Sequence, residues 1–221
     1  MCGIIGFISA KATKKQLDCL KTIMTESRIR GMHASGVVYY INNKKKSIII
    51  PEPIDILVQK LDWTAMVGCK ISLIAHARYS TSDIKYNQPI MDEKTGIAVV
   101  HNGVMSQSPP EQWEQKFGYK TTTKNDSELL LRCIIASKNP LKVFPKSSIA
   151  ALVLNTDQSI KAIRNGLRPL WIGKVEVATV YASTFDILSR AGVEPHKVPC
   201  TGIEKQVYSN YSVRTPILIL R

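Results

Sequence analysis

The sequence predicts an α+β fold with largely antiparallel sheets. Short runs rich in Ile and Val recur along the whole chain, amphipathic segments interrupt them, and the two kinds follow no regular βαβ rhythm. No fixed-period repeat, low-complexity tract or Gly/Ser linker divides the chain, so residues 1–221 read as one domain.

The runs at 2–9, 35–41, 47–50, 71–77, 97–101, 149–154 and 177–182 have the length and β-branched content of strands. The run 71–77 alternates, with Ile71, Leu73, Ala75 and Ala77 on one face and Ser72, Ile74 and His76 on the other. Asn42-Asn43 is a turn pair, which places Lys44-Lys45-Lys46 in a solvated hairpin tip. Helices are expected at 13–26, behind a Thr13 cap with Leu17, Leu20 and Met24 at helical spacing, and at 53–63, with Ile54, Leu57 and Leu61. A third spans 126–137, capped by Asn125 or Asp126, and a short fourth covers 184–191.

Composition excludes several classes. Hydrophobic residues make up 44% and charged residues 21%, which argues against disorder or fibre. No stretch approaches the ~18 apolar residues of a membrane span, and the start lacks the basic region of a signal peptide. Five scattered cysteines without a C-x-x-C pair fit reduced thiols in the cytoplasm rather than a disulfide scaffold or zinc ribbon. The formal charge of +13 predicts attraction to polyanions: nucleic acid, nucleotides or an acidic partner.

Four segments carry chemistry. Cys2 would expose a free α-amine once Met1 is removed, joining nucleophile and base in one residue. A thiol near ~8.5 can hand its proton to an amine near ~8. Gly3 and Gly6 leave the thiol accessible, or else form turns. His101-Asn102-Gly103 follows a strand and offers a side-chain NH₂ and an approachable backbone N–H. That is an oxyanion hole, whose donors are each worth roughly 10²–10³ in rate, or a hairpin turn. Arg78, leaving a strand end, suits a carboxylate, with Ser80 and Thr81 as added donors. In Asn125-Asp126-Ser127-Glu128 one acid can cap a helix and another bind an ammonium. His76 and His101 read as satisfied inner-sheet histidines, since no spacing supports a metal site.

Together these segments resemble the glutaminase domain of class II glutamine amidotransferases, which are N-terminal-nucleophile hydrolases. The resemblance rests on M-C-G-I-I-G-F at 1–7, Arg30-Gly31 with Ser35-Gly36, H-A-R-Y-S-T at 76–81, N-Q-P at 87–89, H-N-G at 101–103 and N-D-S-E at 125–128. R-N-G-L-R-P-L at 164–170 and Y-A-S-T-F-D-I-L at 181–188 are most similar to the amidophosphoribosyltransferase branch. The resemblance implies a four-layer αββα sandwich of two mainly antiparallel sheets. It implies hydrolysis of L-glutamine through a γ-glutamyl thioester, with no cofactor and no metal. Cys2 is then the nucleophile, and Asn102 and Gly103 hold the oxyanion. Arg78 grips the α-carboxylate, Asp126 receives the ammonium, Thr81 contacts substrate and Arg30 sits in a closing loop. The sequence departs from the family's loop at His33, where an acid is usual, and at Ser82. No ammonia-consuming domain follows, so the expected partner is a separate synthase subunit, possessing a nucleotide or nucleic-acid substrate on the charge argument. A lone glutaminase and a non-catalytic regulatory or binding module are the alternatives.

Overall fold

The computed structural model describes residues 2–79 and 86–200, with the backbone of 203–206. Two antiparallel sheets organise it. The first contains β1 (Gly3–Ser9), β2 (Ala34–Ile41), β3 (Lys44–Ile50), β4 (Ile71–Arg78), β9 (Trp171–Val175), β10 (Ala178–Ala182) and β11 (His196–Lys197). Its order is β11-β9-β10-β1-β4-β2-β3, which puts β1 in the middle. The second contains β5 (Ile90–Met91), β6 (Ala98–Val104), β7 (Ser148–Leu154), β8 (Ile160–Arg164) and β12 (Ile203–Gln206), in the order β12-β8-β7-β6-β5.

Strand alternation sorts the apolar side chains into three layers. Ile5, Phe7, Val37, Leu73 and Ala75 face outward from the first sheet, against Leu17, Leu20 and Ile23 of α1 (Lys14–Glu26), Leu57 of α2 (Ile54–Gln59) and Leu188 of α6 (Phe185–Arg190). Their neighbours along the strands, Ile4, Ile8, Val38 and Ile74, meet Ala98, Val100, Ala150 and Leu152 of the second sheet. Val99, Ala151 and Val153 face outward from that sheet. They pack on Leu129 and Leu130 of α4 (Ser127–Ile135), on Trp113 of α3 (Trp113–Phe117), and on Leu141 and Val143 of α5 (Pro140–Val143). The result is the expected four-layer αββα sandwich. Each fully buried Ile or Leu contributes about 1.5–3 kcal/mol. Gly6 leaves room between the sheets: a Cβ there would stand 2.7 Å from Leu152 of the facing sheet and 2.9 Å from Tyr181 of the neighbouring strand.

The seven expected strands are all present, and their corrections are local. Both Asn42 and Asn43 take positive φ, as a tight hairpin turn requires. The lysine run, however, lies within β3 and not in the tip, with Lys45 Nζ donating to the Gly96 carbonyl at 2.8 Å. Thr13 caps α1 as expected, through a reciprocal box with Gln16. Neither acid caps α4. The Asn125 side chain accepts from Ser127 N at 3.0 Å, which leaves the Asp126 carboxylate to turn elsewhere. Gly3 and Gly6 form no turn, because both lie inside β1. All five cysteines are free. Among the described residues no helix is long and apolar enough to cross a membrane.

Candidate active site

The two sheets open at one end into a cleft of about 930 Å³. Cys2, Arg30, His76, Arg78, Asn102, Gly103 and Asp126 all border it. Thr81, Ser80 and Ser82 lie outside the described residues. The other expected site residues come together.

Each is placed by its element. Cys2 precedes the central strand β1 and directs its thiol to the Tyr79 carbonyl at 3.6 Å. Its own carbonyl receives Arg30 Nε at 2.9 Å and Asn102 Nδ2 at 2.8 Å. Arg30 therefore closes a 3-10 turn (Ser27–Arg30) directly onto the first described residue. Burial holds the Arg30 pKa below its usual value, with Cys2 opposing that shift and Arg168 adding to it. Arg78 ends β4 and is 8% exposed, and its Nη1 donates to the Tyr86 carbonyl and, at 2.8 Å, to Asn87 Oδ1. His33, the departure from the family's loop, donates its backbone N–H to the Arg78 carbonyl at 3.0 Å and packs its ring at a tilt of 41° against Tyr79, centroids 4.9 Å apart.

Asn102 and Gly103 belong to strand β6, so the hairpin-turn alternative does not hold. Both Asn102 N–H bonds are in use, one to the Cys2 carbonyl and one to Ser183 Oγ at 2.9 Å. Binding an oxyanion there requires one of them to be exchanged. Gly103 has φ +143°, and a Cβ on it would overlap the Ser148 carbonyl, so only glycine fits this register of β6 on β7. The Asp126 carboxylate borders the cleft and accepts from Met105 N at 2.6 Å.

A hydrogen-bonded frame lies behind these groups. His101 is buried and, as expected, satisfied: its ring nitrogens meet Ser127 Oγ at 3.1 Å and the Ser148 carbonyl at 3.2 Å. A carbonyl only accepts, so Nε2 carries the proton and Nδ1 accepts from Ser127. Gln88 adds a rung by exchanging bonds with His101 N and O. Burial drives the His101 pKa down and keeps the ring neutral, although Asp126 pulls it upward. Glu128, 1% exposed, accepts from the backbone of Thr122 and Thr123 and from Arg132. These bonds lower its pKa against the opposing effect of burial and fix the loop that ends at Asp126. His76 is buried too, but contrary to expectation it is not satisfied: neither ring nitrogen has a partner among the described residues. No metal-holding cluster occurs among the described residues.

Sequence reasoning missed Ser183, Ser148 and Arg168. Ser183, fully buried just past β10, accepts from both Ile4 N and Asn102 Nδ2, and its signal lay in the Y-A-S-T segment. Ser148 Oγ accepts from Val104 N at 3.0 Å, and Arg168 Nε lies 3.4 Å from the same oxygen.

Comparison with known proteins places this geometry. No family model matches the chain. A glutamine–fructose-6-phosphate aminotransferase (isomerizing) of Sulfolobus acidocaldarius is 27% identical over 198 residues, covering 83% of this chain and 33% of that protein. The Clostridium perfringens enzyme of the same name is 30% identical over 135 residues, covering 59% of this chain and 21% of its own. The chain thus spans a third or less of these relatives. Among solved structures, the glutamine phosphoribosylpyrophosphate amidotransferase of B. subtilis superposes with a TM-score of 0.66 at 22% identity, over 96% of this chain and 50% of that one. The fold likeness is therefore to the branch whose motifs the sequence resembles, and the sequence likeness extends to a second branch. In sequence the chain is thus similar to part of these glutamine-dependent aminotransferases, and it shares the two-sheet α+β fold of the solved amidotransferase.

Proposed function

We propose that this domain hydrolyses the side-chain amide of L-glutamine and hands the ammonia to a separate acceptor enzyme. The observation that carries the reading is the convergence of Cys2 with Asn102 and Gly103 on one side and with Arg78 and Asp126 on the others, in a single cleft. A zwitterionic substrate needs one fixed cation and one fixed anion beside the nucleophile, and Arg78 and Asp126 have those charges.

In this mechanism the α-amine of Cys2, freed by removal of Met1, takes the thiol proton. The sulfur adds to the amide carbon, forming a C–S bond and an oxyanion held by Asn102 Nδ2 and Gly103 N–H. The C–N bond then breaks, and the nitrogen takes the proton from the Cys2 ammonium and leaves as ammonia. Water cleaves the γ-glutamyl thioester to glutamate and regenerates the thiol. No cofactor enters. The charge of +13 favours an acceptor enzyme that is itself acidic or works on a nucleotide or nucleic acid.

The test pairs intact mass with turnover. Loss of one methionine and glutamine hydrolysis that disappears in a folded Cys2→Ala variant is the expected result. Full retention of Met1 with no hydrolysis would instead favour a non-catalytic module.

A further inference from the structure

His76 lies mid-strand in β4, directly opposite Ile4 of β1 and Gly36 of β2, on the face that looks into the middle layer. It is 1% exposed and borders the cleft, yet neither ring nitrogen has a hydrogen-bond partner among the described residues. His101, equally buried on β6, has both of its nitrogens occupied. Buried polar side chains nearly always find partners, and one that does not, at the wall of a cleft, points to a ligand.

The sheet register says what that ligand reaches. Gly3 pairs with Ala77 and Ile4 with His76, so one step further Cys2 falls opposite Arg78, on the same face as Ile4. Cys2 and His76 are then diagonal neighbours, which sit ~7–8 Å apart and within reach of an imidazole. An amide attached at the Cys2 sulfur lies between them. Burial, and then Arg78 and His101, push the His76 pKa down to about 3, so the ring is neutral at physiological pH. It offers one lone pair and one N–H, and no charge. Among the groups glutamine brings to Cys2, the carboxamide nitrogen is the hydrogen-bond donor that such a lone pair suits.

We propose that His76 is a specificity-determining contact for the carboxamide nitrogen of the substrate, accepting a hydrogen bond from it until it departs as ammonia. This rests on the reading of Cys2 as the nucleophile toward glutamine. The contact transfers no proton: the departing nitrogen still takes its proton from the Cys2 ammonium. The neutral ring leaves the ammonia unprotonated and nucleophilic.

The experiment compares glutamine with the γ-methyl ester of glutamate, whose leaving group has no N–H, in the full chain. His76→Leu is expected to lower kcat/KM for glutamine by about 30-fold while the ester changes by less than about threefold. His76→Gln, which restores a polar acceptor, should recover much of the loss. His76→Met repeats the apolar arm if the Leu variant fails to fold. Equal losses on both substrates, or no loss on glutamine, overturn the proposal. Calorimetric binding to Cys2→Ala gives an independent reading: His76→Leu in that background should weaken glutamine and spare the ester, and equal weakening of both overturns it. If the wild type hydrolyses neither substrate, the proposed function fails, while the binding arm still decides the role of His76.

Discussion

Replacing Ser183 by Ala removes a single oxygen that two strands share. Ser183 is fully buried, and its Oγ accepts from Ile4 N at 2.8 Å and from Asn102 Nδ2 at 2.9 Å. Ile4 is itself fully buried, so its N–H would be left without a partner, which costs about 1–3 kcal/mol. Asn102 keeps its bond to the Cys2 carbonyl and loses only one net hydrogen bond, about 1 kcal/mol. Together the loss is about 3 kcal/mol, or roughly 6–12 °C in Tm for a domain of this size. Urea unfolding with linear extrapolation measures it directly, at constant m. Ser189→Ala, on the exposed face of α6, is the control and should stay within about 0.5 kcal/mol. A Ser183→Ala midpoint matching that control would refute the claim that this hydroxyl ties Cys2's strand to the opposite sheet.

Gly103→Ala should be more damaging, by about 3–5 kcal/mol, because the positive φ and the overlap with the Ser148 carbonyl are both backbone conflicts that no rotamer relieves. Circular dichroism of a normally folded, stable Gly103→Ala would contradict it. Asp126→Asn keeps an oxygen for Met105 N but discards the charge. It should raise KM for glutamine about 10- to 100-fold with little change in kcat, and a KM within threefold of wild type would remove Asp126 from substrate binding. Stability should fall with pH. The folded pKa of His76, about 3, lies below the ~6.5 of the unfolded chain, so under ~6.5 the unfolded state binds a proton that the folded state refuses. That slope is about 1.4 kcal/mol per pH unit, and His101 acts in the same direction. Glu128, whose pKa is lowered on folding, adds to the loss once the pH drops below the ordinary carboxylate range. Urea midpoints between pH 7.5 and pH 4.5 should decline, less steeply in His76→Gln, and a flat profile in the wild type would contradict the assignment.

Periodicity was enough to find β1, β2, β4, β6, β7 and α1, because each carries an uninterrupted apolar face. β8 and β9 escaped since Lys161, Gly173 and Lys174 break their apolar runs, and the two-residue strands β5 and β11 are too short to show a period. The site was legible wherever its chemistry sits in adjacent residues, as in H-N-G and N-D-S-E. It was less legible where the partners are distant in the chain: the Y-A-S-T segment marks Ser183 but not the bond it makes to Asn102, 81 residues away. His76 illustrates a different limit. Its burial follows from strand alternation, but whether a buried imidazole is satisfied depends on three-dimensional neighbours that alternation does not name.

Cys2 and Arg78 hang from one sheet, whereas Asn102, Gly103 and Asp126 hang from the other or its flanking helix. The placement of the Cys2 sulfur against Asn102 and Gly103 is thus inherited from how Ile74 and Leu152 mesh between the sheets. Cavity-making changes there should erode turnover by letting the two jaws slip, well before the chain melts. Equivalent changes beneath α1 should cost folding energy and leave the jaws in line. Screens for activity at elevated temperature would then recover compensating substitutions preferentially from the apolar residues between the two sheets.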